Sequence, residues 1–447
     1  MNRQRIAVIG GGISGNLAAR LLHNDHDITL FEAASYPGGH SNTVTCLIDD
    51  HSYDVDTGFM VFNDRTYPNF CRLLDMLEVD AQDSDMSFSV RCEKTDLEYQ
   101  GSSLRGLFPS WKNIISLNYW NMLRDILRFN RLGTEAVQQS TIGEGETMGQ
   151  FLDRCRVGTM FREKYLLPMA AAIWSAEPQQ ILDFPAQFFL GFCDNHGLMA
   201  IRNRPQWKTI IGGSKQYVRK LIEPLGDRVR LNSPVKRVLR DGERVTVITK
   251  DDQAEKFDQV IFATHADQTL KMLDQPTEQE REILGHFPYQ PNDAVLHTDT
   301  RLLPKHRHAW ASWNYLLPDN HRSTTASVTY DLSRLQNVPS PTPILLSLNI
   351  TDRIDPDKIL QQISYDHPAF NRHSYSAQKR LPEIQGQRQT YFCGAWCGYG
   401  FHEDGVKSAL AVAAYFGKNL DECTVACTKE RSPTHAMGPS SISLTTA

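Results

Sequence analysis

An apolar run, Ile6-Ala7-Val8-Ile9, ends directly in Gly10-Gly11-Gly12-Ile13-Ser14-Gly15. No other feature constrains the fold of this chain as strongly. In such a G-x-G-x-x-G turn, the first glycine permits the tight bend and the second lets backbone amides approach a pyrophosphate. The third lets helix and strand pack closely, with the phosphates on the helix N-terminus. Apolar residues then recur at helical spacing, at Ile13, Leu17, Ala18, Leu21 and Leu22. A second apolar run, Ile28 to Phe31, ends on Glu32, about twenty residues past the first glycine, where a carboxylate meets ribose hydroxyls. Taken alone the glycine pattern is weak. With both flanking elements and the acid in register, it predicts the opening βαβ unit of a doubly wound sheet. Its dinucleotide site is built on Gly10, Gly12, Ser14, Gly15 and Glu32.

The rest of the chain bounds the function class. Its 447 residues suggest two or three domains, and a net charge of −5 gives no reason to expect nucleic acid as a partner. The nine cysteines are scattered, with no Cys-x-x-Cys pair, which points to a reducing compartment. Met-Asn-Arg-Gln-Arg leads straight into the first apolar run, so the expectation is a cytoplasmic protein without a signal peptide. Residues from about 104 to 200 read as helical and rich in aromatics and arginine. Val235 to Leu239 and Val245 to Ile248 read as a hairpin about Asp241-Gly242. Val260 to Ala263 read as a buried strand, Ile344 to Ile350 as another, and Val406 to Leu420 as a last helix. The polar stretch 423–447 is expected to be disordered.

The choice between NAD and FAD falls on later segments. Gly38-Gly39 follows Glu32, and a second glycine-rich stretch, Gly394 to Gly405, precedes the last helix. A nicotinamide domain needs no distant turn returning to the same cofactor, whereas an extended FAD does. Here the sequence resembles the FAD-dependent amine oxidase superfamily, and within it a bacterial branch of NAD/FAD-binding oxidoreductases. The phrases that carry the resemblance are Asp56-Thr57-Gly58-Phe59, Tyr165 to Met169, Ile173-Trp174-Ser175, Asn195-His196-Gly197, Gly212-Gly213-Ser214, Ala263 to Asp267, Leu296 to Asp299 and Gly400 to Gly405. The resemblance implies an α/β, Rossmann-like FAD domain from 1–85, 205–285 and 385–422, with a discontinuous α+β substrate domain from 86–204 and 286–384. It implies that Gly10, Gly12 and Gly15 hold the pyrophosphate and Glu32 the adenosine ribose. Gly38, Gly39 and His40 would lie along the diphosphate, and Val235 would meet the adenine. Asp56, Thr57, Gly58 and Phe59 would pass the isoalloxazine, and Asp404, Gly405 and Val406 would meet the ribityl chain and pyrimidine edge, with Glu403 beside them in the cofactor-binding set. Glu403 and Asp404 read equally as helix-capping residues. His40 stands where these oxidases usually carry arginine, which shifts phosphate neutralisation toward the helix dipole.

For the histidines in these phrases, His196, His265, His297 and His402, a structural hydrogen-bonding role is the ordinary reading. The last flanks the flavin turn and is the candidate catalytic base, with ordering of that turn through the backbone as its alternative. Cys397 beside the same turn reads as small-residue packing rather than a covalent flavin link. No metal-ligand spacing occurs, so no metal site is expected. Leu104 to Leu132 combines five aromatics with five basic residues against the single acid Asp125. Asn121, Arg124, Asp125 and Arg128 fall on one helical stripe, and Tyr119, Met122, Leu123, Ile126 and Leu127 on the apolar side. Such a helix suits either ordinary packing or an anionic membrane surface, which would place the protein peripherally on the membrane's inner face. Genes of this branch commonly neighbour cyclopropane-fatty-acid-synthase-like methyltransferases. The resemblance therefore implies a lipid acyl substrate oxidised at carbon and a methyltransferase partner. A small-amine oxidase and a non-catalytic flavin subunit of a lipid-modifying complex are the alternatives.

Overall fold

The computed structural model describes residues 3–174, 177–200, 204–319 and 326–423. Ser175 and the expected tail beyond Cys423 lie outside them. The first apolar run becomes the strand Arg5–Ile9, at the centre of a five-stranded parallel sheet. Its neighbours are Asp27–Phe31 and then Val229–Arg230 on one side, Gln259–Phe262 and then Thr390–Phe392 on the other.

Side-chain alternation along these strands decides what covers each face. Ile6, Val8, Ile28, Leu30 and Ile261 pack with Leu22, Val412 and Phe416 of the helices Ile13–Leu22 and His402–Tyr415 and their ends. Ala7, Ile9, Phe31, Val260 and Phe262 face the other way, onto Val238, Val245, Val247 and Phe257. Those belong to an antiparallel three-stranded sheet, Val235–Asp241, Arg244–Thr249 and Ala254–Phe257. The expected hairpin is therefore present, but it changes the doubly wound picture. The second face is closed by β-structure rather than by crossover helices, because alternating residues with a left-handed turn at Gly242 (φ 72°) leave no room for a helix between 235 and 257.

A seven-stranded mixed sheet runs in the order Ile359–Pro368, Tyr289–His297, Leu345–Leu348, Val328–Asp331, Trp313–Leu317, Phe88–Cys92, Leu97–Gln100. The helices between 104 and 195 pack beside it, the longest being Leu117–Gln138. That helix departs from the expected stripe. Asp125 turns inward and accepts the Gly158 N–H at 2.9 Å, while Leu127 stays exposed beside Arg124 and Arg128. The final helix also begins at His402, four residues before its apolar periodicity. Asp404 accepts the N–H groups of Tyr399 and Phe401, both at 3.0 Å, and so satisfies amides ahead of the first turn.

Candidate functional site

The glycine turn shows directly why each position is glycine. Gly10 has φ 104°, and a Cβ there would lie 2.7 Å from the Ala263 carbonyl oxygen. At Gly15 a Cβ would lie 1.9 Å from the Gly10 carbonyl oxygen. Gly12 is different: a Cβ there meets nothing within 4 Å. Two of the glycines are required by the fold, and the third leaves open space over the helix N-terminus. Gly38 closes on this turn through its N–H to the Gly11 carbonyl at 2.7 Å, and Gly39 lies against Gly12. Glu32 accepts the N–H groups of Gly11 at 2.6 Å and Ala34 at 2.7 Å. The backbone at 232–233 runs alongside, with Ser233 N–H on the Glu32 carbonyl at 2.8 Å, which brings half-buried Val235 to the same side.

The last helix reaches the turn through its small residues. Ser14 Oγ donates to the Gly405 carbonyl at 3.0 Å, and a Cβ on Gly405 would sit 2.7 Å from Ile13 Cγ2. Two helices thus open side by side in their first turns, adding their dipoles at one place where anionic groups are stabilised. Val406 is fully buried between them with Ile13 and Leu17.

His40 stacks on Tyr365 at 4.9 Å between centroids and lies 5.3 Å from His367. Burial, and the nearby His367, His265 and His402, hold it neutral. Its Nε2 is buried with no hydrogen-bond partner among the described residues, and so is Nδ1 of His265, which stacks on Tyr289 at 4.2 Å. Buried polar atoms of this kind are costly unless something completes them. The two orphaned ring nitrogens, the open position at Gly12 and the paired helix N-termini fit a bound dinucleotide diphosphate. FAD fits this donor set.

Other expected residues carry the frame of the site. Asp56 is buried and accepts Ser214 N–H at 2.9 Å, Ser214 Oγ at 2.6 Å and Thr43 Oγ1 at 2.6 Å, and burial raises its pKa. Thr57 Oγ1 lies 2.8 Å from Tyr365 Oη, and Gly58 packs on the His40 carbonyl, where a Cβ would be at 2.3 Å. Phe59 donates its N–H to that same carbonyl at 2.7 Å and stacks on His402. Glu403 accepts Phe70 N–H at 3.0 Å and Asn69 Nδ2 at 2.6 Å, capping the helix Pro68–Met76. Asp404 is pushed up to about 6 by burial. His402 is pushed down to about 3 by burial, and its Nε2 shares a hydrogen bond with Tyr217 Oη at 2.8 Å.

Of the remaining histidines, His297 lies elsewhere, bonding Ser347 Oγ at 2.8 Å inside the seven-stranded sheet. His196 instead stacks on Phe192 at 3.9 Å, 5.7 Å from the ring of Phe401 in the last turn. Ser41, Tyr217, Tyr365 and His367 complete the site and were missed in the sequence. Only Ser214, inside its Gly-Gly-Ser phrase, carried a local signal. Among the described residues no cluster of three or more histidine, cysteine or acidic side chains is placed to hold a metal ion.

A parallel sheet whose glycine turn and last helix converge on one anion-binding locus, under a second mixed sheet, defines a dinucleotide-binding protein of Rossmann-like architecture. Residues 16–368 match the flavin-containing amine oxidoreductase family, and the chain belongs to it. Membership assigns FAD as the cofactor. Flavin-containing amine oxidase A of Equus caballus is 28% identical over 284 residues, 61% of this chain and 51% of that protein. The chain spans about half the length of the curated relatives it matches. Among solved structures, the CLA-producing fatty acid isomerase from P. acnes has a TM-score of 0.63 at 16% identity, covering 92% of this chain and 99% of its own. Cyclohexylamine oxidase from Brevibacterium oxydans gives 0.65 at 15%, covering 93% and 100%. At these identities the likeness is one of fold.

Proposed function

We propose that this protein is an FAD-dependent oxidoreductase that removes hydride from a carbon of a long apolar substrate, an acyl chain of a membrane lipid, at the cytoplasmic face of the membrane. The observation that carries this reading is the aromatic wall beside the last cofactor turn. Tyr399 and Phe401 of the turn pack on Phe188 at 4.8 Å and Phe192 at 4.9 Å, and Trp174 lies 4.7 Å from Phe192. Phe370 closes on Phe188 at 5.6 Å. The carboxylates of the turn are turned to the protein frame: Glu403 accepts from Asn69 and Phe70, and Asp404 Oδ2 from the Tyr399 and Phe401 N–H groups. His196 in the same wall is held neutral, pushed down to about 4 by burial. A wall of this kind suits a hydrocarbon chain.

When bound, FAD supplies a two-electron acceptor for the hydride. The chain's own residues bind and orient: the glycine turn, Glu32, His40 and the two helix N-termini hold the cofactor, and the aromatic wall excludes water and aligns the reacting carbon. His402 positions Phe59 through its stack and the last helix through Tyr217. A methyltransferase acting on the same acyl chains would supply or consume the substrate. The fold relative from P. acnes, itself a fatty acid isomerase, supports the acyl reading. The amine oxidases among the relatives support the second reading, oxidation of a small amine.

Anaerobic titration separates these. Unsaturated or methylated acyl phospholipids bleach the flavin absorbance under the acyl reading. Bleaching by mono- or polyamines alone would replace it with the amine reading, and no bleaching by either class would favour a non-catalytic flavin subunit.

A further inference from the structure

We infer that residues 104–131 form a rigid docking platform for an anionic phospholipid surface. The inference deepens the acyl-chain reading and rests on it for the substrate the surface would deliver. Seven of the eleven large apolar side chains left exposed among the described residues fall between Leu104 and Leu127. Trp111 is 67% exposed, Leu117 79% and Trp120 48%. A concentration of apolar surface in so short a stretch marks an interaction site rather than the scattered exposure normal for a surface.

The local fold holds these side chains outward. Ser103, Ser110 and Ser116 each cap the helix that follows them, Leu104–Leu107, Trp111–Ile115 and Leu117–Gln138. Trp120 Nε1 donates to the Ile114 carbonyl at 2.8 Å and its ring lies 5.2 Å from Phe108, so the indole's polar group is satisfied internally and only its ring faces out. Tyr119 Oη donates to the Leu107 carbonyl at 2.7 Å, tying the first short helix to the long one. On the long helix, Tyr119, Met122 and Phe129 are buried. Leu117, Trp120, Arg124, Leu127, Arg128 and Arg131 recur at intervals of three and four on the opposite, exposed face.

Charge identifies the occupant. The chain as a whole carries −5, yet 104–131 presents Arg105, Lys112, Arg124, Arg128 and Arg131. Its one acid, Asp125, is buried against Gly158 N–H. Lys112 pairs with Asp96 and Arg131 with Glu135, whereas Arg105, Arg124 and Arg128 have no ion-pair partner among the described residues. Exposed tryptophan and aliphatic tips ringed by unpaired arginines match the boundary of an anionic bilayer, where rings sit at headgroup depth and cations meet lipid phosphates.

The test uses full-length, FAD-loaded protein and sedimentation with vesicles of phosphatidylcholine alone or mixed with phosphatidylglycerol. Wild type sediments with the anionic vesicles, less at high salt, and weakly with the neutral ones. Loss of each arginine weakens partitioning by about fivefold, so Arg124→Gln with Arg128→Gln lowers it by about 25-fold. Trp111→Ser with Ile115→Ser lowers it by about tenfold or more. Both double variants keep the wild-type flavin spectrum. Wild type left in the supernatant, or variants that sediment like wild type, would overturn the platform. So would light scattering that finds a wild-type dimer made monomeric by these variants, since the surface would then be a self-interface. Because sedimentation needs no turnover, vesicle binding without acyl-driven bleaching would uphold the platform and remove the acyl substrate.

Discussion

His402 and Phe59 lie face to face, with ring centroids 3.7 Å apart and planes 11° from parallel. Phe70 meets the same imidazole edge-on at 4.9 Å, and Tyr217 Oη, itself bonded to Ser41 Oγ, occupies its Nε2. One ring therefore ties the start of the last helix to the segments 57–59 and 39–41 that frame the cofactor locus. Burial pushes it down to about 3, so it is neutral at physiological pH. We expect His402→Ala to lower thermal stability and flavin retention together, at a cost of about 2–3 kcal/mol for the lost stack and hydrogen bond. The pH profile of flavin reduction in the retained fraction should stay unchanged. Full flavin content with reduction slowed by about 100-fold would instead make His402 a base.

Gly12 and Gly15 separate binding from folding within one turn. A Cβ at Gly12 meets no protein atom within 4 Å, so Gly12→Val should leave the apoprotein's stability near wild type while blocking the pyrophosphate. The expected product is a folded, colourless protein. Gly15→Ala forces a Cβ onto the Gly10 carbonyl and should cost several kcal/mol, on the order of an overpacked core position. Circular dichroism melts and flavin absorbance on the same samples check both. A yellow Gly12→Val protein would remove the diphosphate from this turn.

The orphaned nitrogen of His40 makes a prediction in which two readouts move apart. Removing a buried, unpartnered polar atom relieves the apoprotein, so His40→Leu should match or exceed wild-type apo stability. The same change removes a donor to a charged ligand group, which is worth about 1.5–3 kcal/mol. FAD affinity measured by fluorescence quenching should fall by about ten- to a hundredfold. Unchanged affinity would mean that His40 Nε2 does not face the cofactor.

The parts of this molecule legible in sequence are those whose cause is local. Gly10 and Gly15 announce a turn because only backbone sterics decide them, and Ile6 to Ile9 announce a strand because both its faces are buried. The covering of the sheet's second face was not legible, since residues 235–257 show their own hairpin and not the surface they close. Glu403 illustrates the same limit in the site. Its place beside the flavin turn suggested a cofactor contact, but its carboxylate caps a helix more than three hundred residues earlier, through Asn69 and Phe70. Tyr365 and His367 come from an edge strand of the other sheet, and nothing in the spacing of 359–368 announces their stacking on His40. The basic and aromatic residues of 104–131 were visible as a composition. Which of them face out was not, because Asp125 and Leu127 exchange the sides that periodicity gives them.

The last prediction concerns acid. His196, His297 and His367 are each pushed down to about 4 by burial, and His402 to about 3. In the unfolded chain all four take up protons near pH 6.5, whereas the folded protein keeps them neutral. The unfolded state therefore binds more protons below that value, and stability falls as pH drops from 6.5 toward 4. Each histidine contributes about 1 kcal/mol of loss by pH 5.5. Asp404, raised to about 6, and Asp56 and Asp331, also raised by burial, act in the opposite sense because their folded forms take up protons first. His40 and His265, likewise lowered by burial, add to the four histidines. The melting temperature should thus drop steeply between pH 7 and 5.5. His297 offers the control: its Nδ1 accepts Asp299 N–H at 3.0 Å and its Nε2–H donates to Ser347, so it works only as the neutral ring. His297→Gln should lower stability at pH 7.5 and flatten the pH dependence by roughly one histidine's share. A melting temperature constant from pH 7.5 to 5.5 would show that these rings are not kept neutral by the fold.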